Sequence, residues 1–564
     1  MQKTQTYIYS LGIVSGILLG LSWHPFGLPY LLLIAFFPLL MLERHEIEGN
    51  IRLLKNQVIR TYYRSEHRHI RFAEYLAFVI FNAITTWWVW NATALGTVGM
   101  ILANSLLMYL TFRFFKHLHR LLVKIAITHN KPVIYAHAIA YILLPIIWLA
   151  FEYGHHRWDL SWPWLTLGNA FASHPYAVQW YEYTGILGGS LWVWWANTIL
   201  FETLLFYKPV QGDASHDKSL AYRIFYWVPL ILIIVVPIAI SVVQYNNYRP
   251  TKPTHHAVIV QQNTDVWHEY EIPTEDIINN INTLARPHIT NQTQLLLVPE
   301  SALLEYTREP FLLLTNIADS LQSLYEQYPR LTTVIGMSSS NYTEGPERPT
   351  PTARPYSNGY IDYYNTALLY SNRTHYKFRH KSRLVPGVES LPFPQFFNAL
   401  SIDLGGISGS LTPDPSPVVL VTKNQQLKLA TLICYESIYG DYTTQFVKQG
   451  ANLITIITND GWWKKTPGHR QHFALARLRA IETRRDVLRA ANTGISGYIN
   501  QRGDVVTKTA YGKPAALSVN VALNTKQTFY TQHGDYLGRI SLFITIVVAL
   551  LIYLLTLVAA FVKK

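Results

Sequence analysis

Cysteine is almost missing: Cys434 is the single one in 564 residues. That excludes an intramolecular disulfide framework and a cysteine-based structural zinc site. Charge is scarce as well. Lys+Arg 47 and Asp+Glu 34 make the chain 14% charged, where a soluble protein is about one-quarter charged. A shortfall of this size excludes a wholly soluble enzyme. Gly 30 and Pro 29 are unremarkable and hydrophobic residues reach 49%, which excludes collagen, disorder and a long coiled coil. The length corresponds to roughly three or four units of domain size.

What is present is a set of long uncharged runs. Residues 7–23, 25–42, 132–151, 183–201, 224–248 and 540–562 carry no Asp, Glu, Lys or Arg. The run 75–112 is long enough to cross a bilayer twice, with Trp87, Trp88, Trp90 and Asn91 marking an interfacial turn near its middle. A span needs about 20 apolar residues, so about eight spans are expected. Buried core helices of a soluble protein do not account for so many runs of this length. A second apolar run directly after residue 23 argues for a retained first helix rather than a signal peptide.

The basic residues alternate with these runs. Arg44, Arg52, Lys55, Arg60, Arg64, Arg68 and Arg71 fall between the second and third, and Lys116, Arg120, Lys124 and Lys131 between the fourth and fifth. Lys208, Lys218 and Arg223 fall between the sixth and seventh, and Lys563 and Lys564 close the chain. The alternate connections, residues 24–28 and the Asn91 turn, hold none. Positive segments stay in the cytoplasm, so both termini are expected there and residues 249–539 outside. The net charge of +13 is then an orientation signal, and no nucleic-acid partner is expected.

Residues 249–539 alternate short β-branched runs (257–261, 294–299, 332–337, 366–370, 427–434, 453–458 and 487–491) with stretches of helical spacing at 274–285, 311–328 and 469–483. This reads as α/β layering, with sites at strand ends. Residues 341–358 and 405–417 read as loops. A lone thiol is more often a buried small hydrophobe than a nucleophile. Cys434, however, ends the apolar strand 427–433 and precedes the helix-like stretch 438–448. Amides at a helix N-terminus would lower its pKa and favour the thiolate. Glu300 likewise ends an apolar strand, where a desolvated carboxylate can act as a base. Lys381 follows another. A thiolate to attack a carbonyl, a carboxylate to move protons and a cation for the oxyanion make an acyl-transfer set. The histidine pairs His155-His156 and His255-His256 point in different directions and read as solvated; neither a metal nor a cofactor is expected.

This set resembles the nitrilase superfamily, whose triad is Glu, Lys and Cys, and together with the spans it is similar to the membrane-embedded apolipoprotein N-acyltransferase family. The resemblance rests on Leu297-Val298-Pro299-Glu300-Ser301, Tyr363-Tyr364-Asn365-Thr366-Ala367, residues 381–389 and Cys434-Tyr435-Glu436-Ser437. It continues through Thr458-Asn459-Asp460-Gly461-Trp462-Trp463, His472, residues 479–484 and residues 489–497. It covers the entire chain. One departure stands beside the triad: Gly387-Val388 occupies the place where the family usually has Phe-Gly, before the retained Glu389. The segment Gln261-Gln262-Asn263 is similar to the family's first strand end, with Trp267 just beyond it.

The resemblance implies a polytopic α-helical membrane protein with an external α/β nitrilase-like domain, an α-β-β-α sandwich. Residues 1–248 would form an N-terminal membrane domain of about seven helices, 249–536 a periplasmic catalytic domain and 537–564 a last membrane helix. It implies acyl transfer from a phospholipid donor, through a cysteine thioester, to the α-amine of a diacylglyceryl apolipoprotein in the bacterial inner membrane. Cys434 would be the nucleophile, Glu300 the base, Lys381 the oxyanion stabiliser and Glu389 a supporting carboxylate, with Tyr435, Glu436 and Asn365 also in support. Trp462 and Trp463 would form a lid or rim that meets substrate or membrane lipid, or would only pack the domains together. A membrane-anchored amidase of nitrilase type is the closest rival. A transporter is disfavoured because the spans hold few ionisable residues, His137 and Glu202 being the main exceptions.

Overall fold

The structure, a computed structural model, describes residues 2–55, 60–207, 220–390 and 411–561. Lys208, Lys218, Lys563, Lys564 and residues 405–410, which carry part of the expected orientation signal and one expected loop, lie outside the described residues. The first half of the chain is helical: α1 (Gln2–Leu21), α2 (Leu32–Ala35), α3 (Phe37–Lys55), α4 (Arg60–Thr86), α5 (Ala94–Thr128), α6 (Val133–His155), α7 (Tyr181–Tyr207) and α8 (Leu220–Asn247). Among the described residues, six helices are long and apolar enough to cross a membrane: α1, α4, α5, α6, α8 and the C-terminal helix Tyr536–Phe561. Two further long helices accompany them. α3 carries Glu43, Arg44, Glu46 and Glu48, and α7 is interrupted at Gly185, whose φ of 60° and ψ of −170° are not helical. The apolar run 25–42 is thus not one helix but a short 3-10 turn, α2 and the start of α3. The turn expected inside 75–112 is the 3-10 segment Trp87–Asn91.

The placement of the basic residues differs from the expectation. Lys116, Arg120 and Lys124 are not in a loop, because α5 continues to Thr128. Lys116 is fully buried and pairs with Glu46 and Glu74. His119 Nδ1 lies 2.6 Å from Glu43 Oε1, and its Nε2 meets His137 at 2.7 Å. The bundle therefore holds an ionic core that charge counting along the chain missed, since its carboxylates come from α3 and α4 and its cations from α5. His155 and His156 are also buried rather than solvated, against Asn104 and Thr166.

The second half carries two sheets. The strands are β1 (His255–Gln261), β2 (Thr293–Leu297), β3 (Leu303–Arg308), β4 (Thr332–Glu344), β5 (Arg354–Tyr356), β6 (Gly359–Asn372), β7 (His375–His380), β8 (Leu420–Val421), β9 (Lys428–Ile433), β10 (Leu453–Thr458), β11 (Val487–Ala491), β12 (Gly497–Ile499), β13 (Val505–Lys508) and β14 (Ala515–Val521). One sheet runs β14-β1-β2-β4-β6-β5, with β3 beside β4 and β7 beside β6; the other runs β13-β12-β11-β10-β9-β8. The stretch 341–358, read as a loop, is loop over 345–353 and strand at 341–344 and 354–356: β4 extends to Glu344 and pairs with β6, on which β5 also pairs.

Alternation along the strands builds the layers. Ile259, Leu295, Leu297, Val334 and Leu369 from one sheet meet Leu429, Ile433, Leu453 and Ile457 from the other. Their neighbours Val258, Leu296, Val298 and Leu368 face α9 (Thr274–Ala285) and α10 (Asn316–Gln327). On the far side, Ala430, Leu432, Ile454 and Ile456 pack with residues of α11 (Gly440–Lys448) and α12 (Pro467–Thr483). That is an α-β-β-α sandwich. Its α12 layer continues without a break into the core of the helical bundle, so one apolar cluster joins both halves. Polar locks fix the orientation. Gln471 donates to the carbonyls of His24 and Thr85, Trp164 Nε1 donates to Gln471, and Arg484 pairs with Glu182 at 2.8 Å.

Candidate active site

After the exposed Lys428, strand β9 is buried through its last residue, Ile433, beyond which the chain leaves the sheet. Cys434 has φ 49°, in the left-handed region that non-glycine residues enter at a cost of about 1–3 kcal/mol. The turn is held from both sides. Glu436 Oε2 accepts the Ile433 N–H at 2.8 Å, and the Cys434 carbonyl accepts from Ser437 Oγ at 2.7 Å. Cys434 opens a five-residue 3-10 turn, and α11 begins only at Gly440. The helix N-terminus expected to depress the thiol pKa is therefore not beside it. Burial pushes the Cys434 thiol up, the charge of Glu300 adds to this, and Lys381 pulls the other way. A thiol shifted in that direction reacts through a base that takes its proton.

Glu300, buried, stands just beyond β2, beside Gly336 of β4. A Cβ on Gly336 would lie 2.5 Å from Glu300 Cα, so glycine is what allows β4 to pass this close. Glu300 Oε1 accepts from Lys381 Nζ at 3.1 Å and Asn365 Nδ2 at 2.8 Å, and Oε2 accepts the Asn459 N–H at 2.9 Å. Lys381 follows β7 and its backbone N–H donates to the Asn365 carbonyl at 2.8 Å. Its ammonium is buried, which opposes charge, but Glu300 and Glu389 outweigh burial and raise its pKa. Glu389 Oε1 accepts from Lys381 Nζ at 2.7 Å and Asn365 Nδ2 at 3.1 Å, and its Oε2 accepts the Val385 N–H at 2.8 Å.

The loop departure is accommodated by a turn. Gly387 has φ 77°, its N–H donates to the Ser390 carbonyl, and the Glu389 N–H donates to that of Val385. Glycine is suited to that φ as a side chain is not. Glu389 is thus delivered to Lys381 with Gly387-Val388 in front of it.

Two of the expected supporting residues act at a distance from the thiol. Glu436 is wholly buried and ties the Cys434 turn to the lysine segment: it pairs with Arg379 of β7 and accepts the Ser382 N–H at 2.7 Å. Tyr435 points the other way, into the helical half, where its hydroxyl donates to the Ser161 carbonyl at 2.7 Å. The tryptophans part company. Trp463 packs on Trp88 and Trp164, with ring centroids 4.7 and 5.6 Å away. Trp462 instead meets Trp267 edge-on at 5.3 Å, and Trp267 is half-exposed.

Several residues carry roles that the sequence did not assign to them, although Asn459, Asp460, His472 and Arg489 lie in the motif stretches named above. Asn459 supplies the backbone N–H to Glu300, and its side chain donates to Glu269 at 3.3 Å. Glu269 is buried; its carboxyl is pushed up to about 8 by burial, with the charge of Glu300 adding. No spacing signal marks Glu269, which reaches the site from the loop after β1. Asp460, His472 and Arg489 form a buried network behind the thiol turn. Asp460 contacts His472 at 3.0 Å and Arg489 at 2.7 Å, and His472 Nε2 lies 3.2 Å from the Cys434 carbonyl. Burial opposes the charge of Asp460, but Arg489 and His472 hold its carboxyl well below the usual range. As a whole, the arrangement presents a thiol, a carboxylate with three donors, and a lysine held charged, at the ends of three strands.

Two family descriptions match the chain: an apolipoprotein N-acyltransferase N-terminal domain over residues 15–199 and a carbon-nitrogen hydrolase over residues 256–528. An apolipoprotein N-acyltransferase of Chlorobaculum tepidum is 27% identical, over 96% of this chain and 96% of its own length. One of Geobacter metallireducens is 24% identical, over 93% and 92%. Among solved structures, an amidase from Nesterenkonia sp. aligns over 52% of this chain and 97% of its own, with 17% identity and a TM-score of 0.33.

Proposed function

We propose that this chain, which belongs to the apolipoprotein N-acyltransferase family, transfers a fatty acyl chain from a membrane phospholipid to the N-terminal α-amine of a diacylglyceryl-cysteine on an apolipoprotein. The observation that carries this reading is the convergence of Glu300, Lys381 and Cys434 in a sandwich whose outer helical layer shares its core with a membrane bundle. Both substrates carry lipid tails, and bringing tails into water costs about 0.8 kcal/mol per methylene. A site fused to a bundle can take them from the bilayer.

In the first half-reaction Glu300 takes the proton of Cys434, and the thiolate adds to the acyl ester carbon. The oxyanion is stabilised by Lys381 Nζ. The C–O bond then breaks, Glu300 returns the proton to the departing lysophospholipid oxygen, and a thioester remains on Cys434. In the second, the α-amine adds to the thioester, Glu300 accepts an amine proton, and the C–S bond breaks to leave the amide and, after proton return, the thiol. Glu389 and Asn365 position Lys381 and Glu300. Glu436 and Tyr435 hold the thiol turn, and Trp462 with Trp267 forms a rim. Trp463 packs the domains together. We divide the chain into 1–248, 249–536 and 537–564.

Mass analysis of the intact protein after incubation with phospholipid tests this reading. The expected result is one fatty-acyl adduct that hydroxylamine removes and that passes to a diacylglyceryl peptide with a free amine. Release of free fatty acid with no amide product would favour a hydrolase. We place the protein in the bacterial inner membrane with the sandwich on the periplasmic side, supported by the basic residues at the opposite helix ends. In a Cys434→Ser background, Glu347→Cys should react with an impermeant maleimide in spheroplasts and Lys131→Cys should not. The reverse pattern would place the sandwich in the cytoplasm.

A further inference from the structure

Along the middle of α4 and α5, on the side of Thr85 away from the sandwich, lies a groove of about 370 Å³ lined by Arg68, Arg71, Phe72, Tyr75, Leu106 and Tyr109. Its composition is graded. Arg68 and Arg71 are exposed and, three residues apart on a helix, share a face. Phe72 is 56% exposed and Leu106 45% exposed. Tyr75 and Tyr109 meet edge-on at 5.8 Å, and the Tyr75 hydroxyl donates to the Leu102 carbonyl at 3.3 Å, so the aromatic wall is fixed.

Depth follows from helix geometry. Thr85 of α4 touches Gln471 of the sandwich, and at 1.5 Å per residue Arg68 lies about 25 Å from it and Arg71 about 21 Å. The hydrocarbon core of a bilayer is about 30 Å thick. The two guanidinium groups, reaching outward on long stems, thus meet the headgroup level of the leaflet opposite the sandwich, and the apolar wall runs from them toward the bilayer centre. Their charge is also spare. Arg113 and Lys116, one and two turns further along α5, are turned inward onto Glu46 and Glu74, whereas Arg68 and Arg71 have no ion pair among the described residues.

We infer that this groove binds an anionic glycerophospholipid of the leaflet opposite the catalytic domain, its phosphate on Arg68 and Arg71 and an acyl chain along Phe72, Tyr75 and Leu106. A lipid there is nearly a bilayer away from Cys434 and is not the acyl donor. The inference does not rest on the acyl-transfer reading, only on the chain spanning a membrane.

Native mass spectrometry of the full chain in detergent, titrated separately with phosphatidylglycerol, phosphatidylethanolamine and inorganic phosphate, tests it. Phosphatidylglycerol should be retained at concentrations well below phosphatidylethanolamine. Arg68→Gln with Arg71→Gln should weaken that retention about thirtyfold, the worth of two interfacial cations. Leu106→Trp, which fills the apolar end and leaves both cations, should weaken it as well. The thermal unfolding midpoint in detergent without added lipid should be unchanged in all of these variants, which shows that they fold. Equal retention of the two lipids, or retention that neither variant alters, would overturn the proposal. Displacement of phosphatidylglycerol by millimolar inorganic phosphate, with no effect of Leu106→Trp, would make the groove a free-anion site and overturn it too.

Discussion

Lys116 and Lys381 occupy closely similar settings in opposite halves of the molecule. Each is buried between two glutamates, Glu46 and Glu74 for the first, Glu300 and Glu389 for the second. Around Lys116 the remaining groups are helix side chains that close on one another: Arg113 on Glu46, His119 on Glu43, His137 on His119. Around Lys381 the closure is incomplete. Glu300 faces the partly exposed Cys434, which sits on a strained turn at a strand end. A lysine between two carboxylates is therefore a device for keeping a buried cation charged. The catalytic role proposed for Lys381 rests on the strand end that brings the partly exposed Cys434 to its cluster.

The comparison breaks most completely at the nucleophile. Cys434→Ala should abolish the acyl adduct and all turnover with the fold intact, and Cys434→Ser should be nearly as inactive, because an alcohol is far harder to deprotonate; acyl transfer at the normal rate in Cys434→Ser would make the thiol a packing residue. Next come its partners. Glu300→Gln should lower turnover by roughly 10² to 10⁴, the usual worth of general base catalysis, and Lys381→Ala should cost a similar factor through the oxyanion. Rates within threefold of the original chain would show that the catalytic lysine is no different from the structural one.

Lys116→Met sharpens the contrast from the other side. It leaves Glu46 and Glu74 buried without their main counter-charge, which costs about 3–5 kcal/mol. Thermal unfolding in detergent should fall steeply, while the turnover of the protein that remains folded stays unchanged. A proportional loss of turnover per folded molecule would link the two clusters.

The smallest effect concerns a third cation of this kind. His380 is held between Glu309 at 2.7 Å and Asp414 at 2.8 Å. Burial opposes its charge, but Asp414 and Glu309 raise its pKa to about 9, above the ordinary value near 6.5. Its contribution is therefore fully present below about pH 6.5 and lost as pH rises through about 9, a change of about 3 kcal/mol. The unfolding midpoint should drop between pH 7 and 9.5, and His380→Gln should flatten that drop. A variant with the same pH slope would assign it to other groups.

Much of the architecture is legible in the sequence because it depends on local pattern. Helix α9 and strands β10 and β11 fall on the stretches read from periodicity. The Trp87–Asn91 turn is marked by its own aromatics and amide. The three residues proposed as the triad, Glu300, Lys381 and Cys434, are legible as polar side chains just beyond strand ends. Fine detail at the ends is not: β4 and β6 run past the β-branched cores that announce them, because pairing with each other outweighs the Ser, Asn and Tyr content of their outer halves.

The sequence by itself determined that the chain carries helices long and apolar enough to cross a membrane and where the proposed nucleophile, base and cation stand along it, since apolar length and strand-end position are properties of neighbouring residues. Only the tertiary structure decided which charges pair. Lys116 meets carboxylates 42 and 70 residues away, Glu269 reaches Asn459 across 190, and burial with the nearby charge of Glu300 pushes the Cys434 thiol up, while the helix expected beside it starts six residues later. Desolvation and Coulomb energy depend on distances in space, which follow from how the layers stack and not from spacing along the chain.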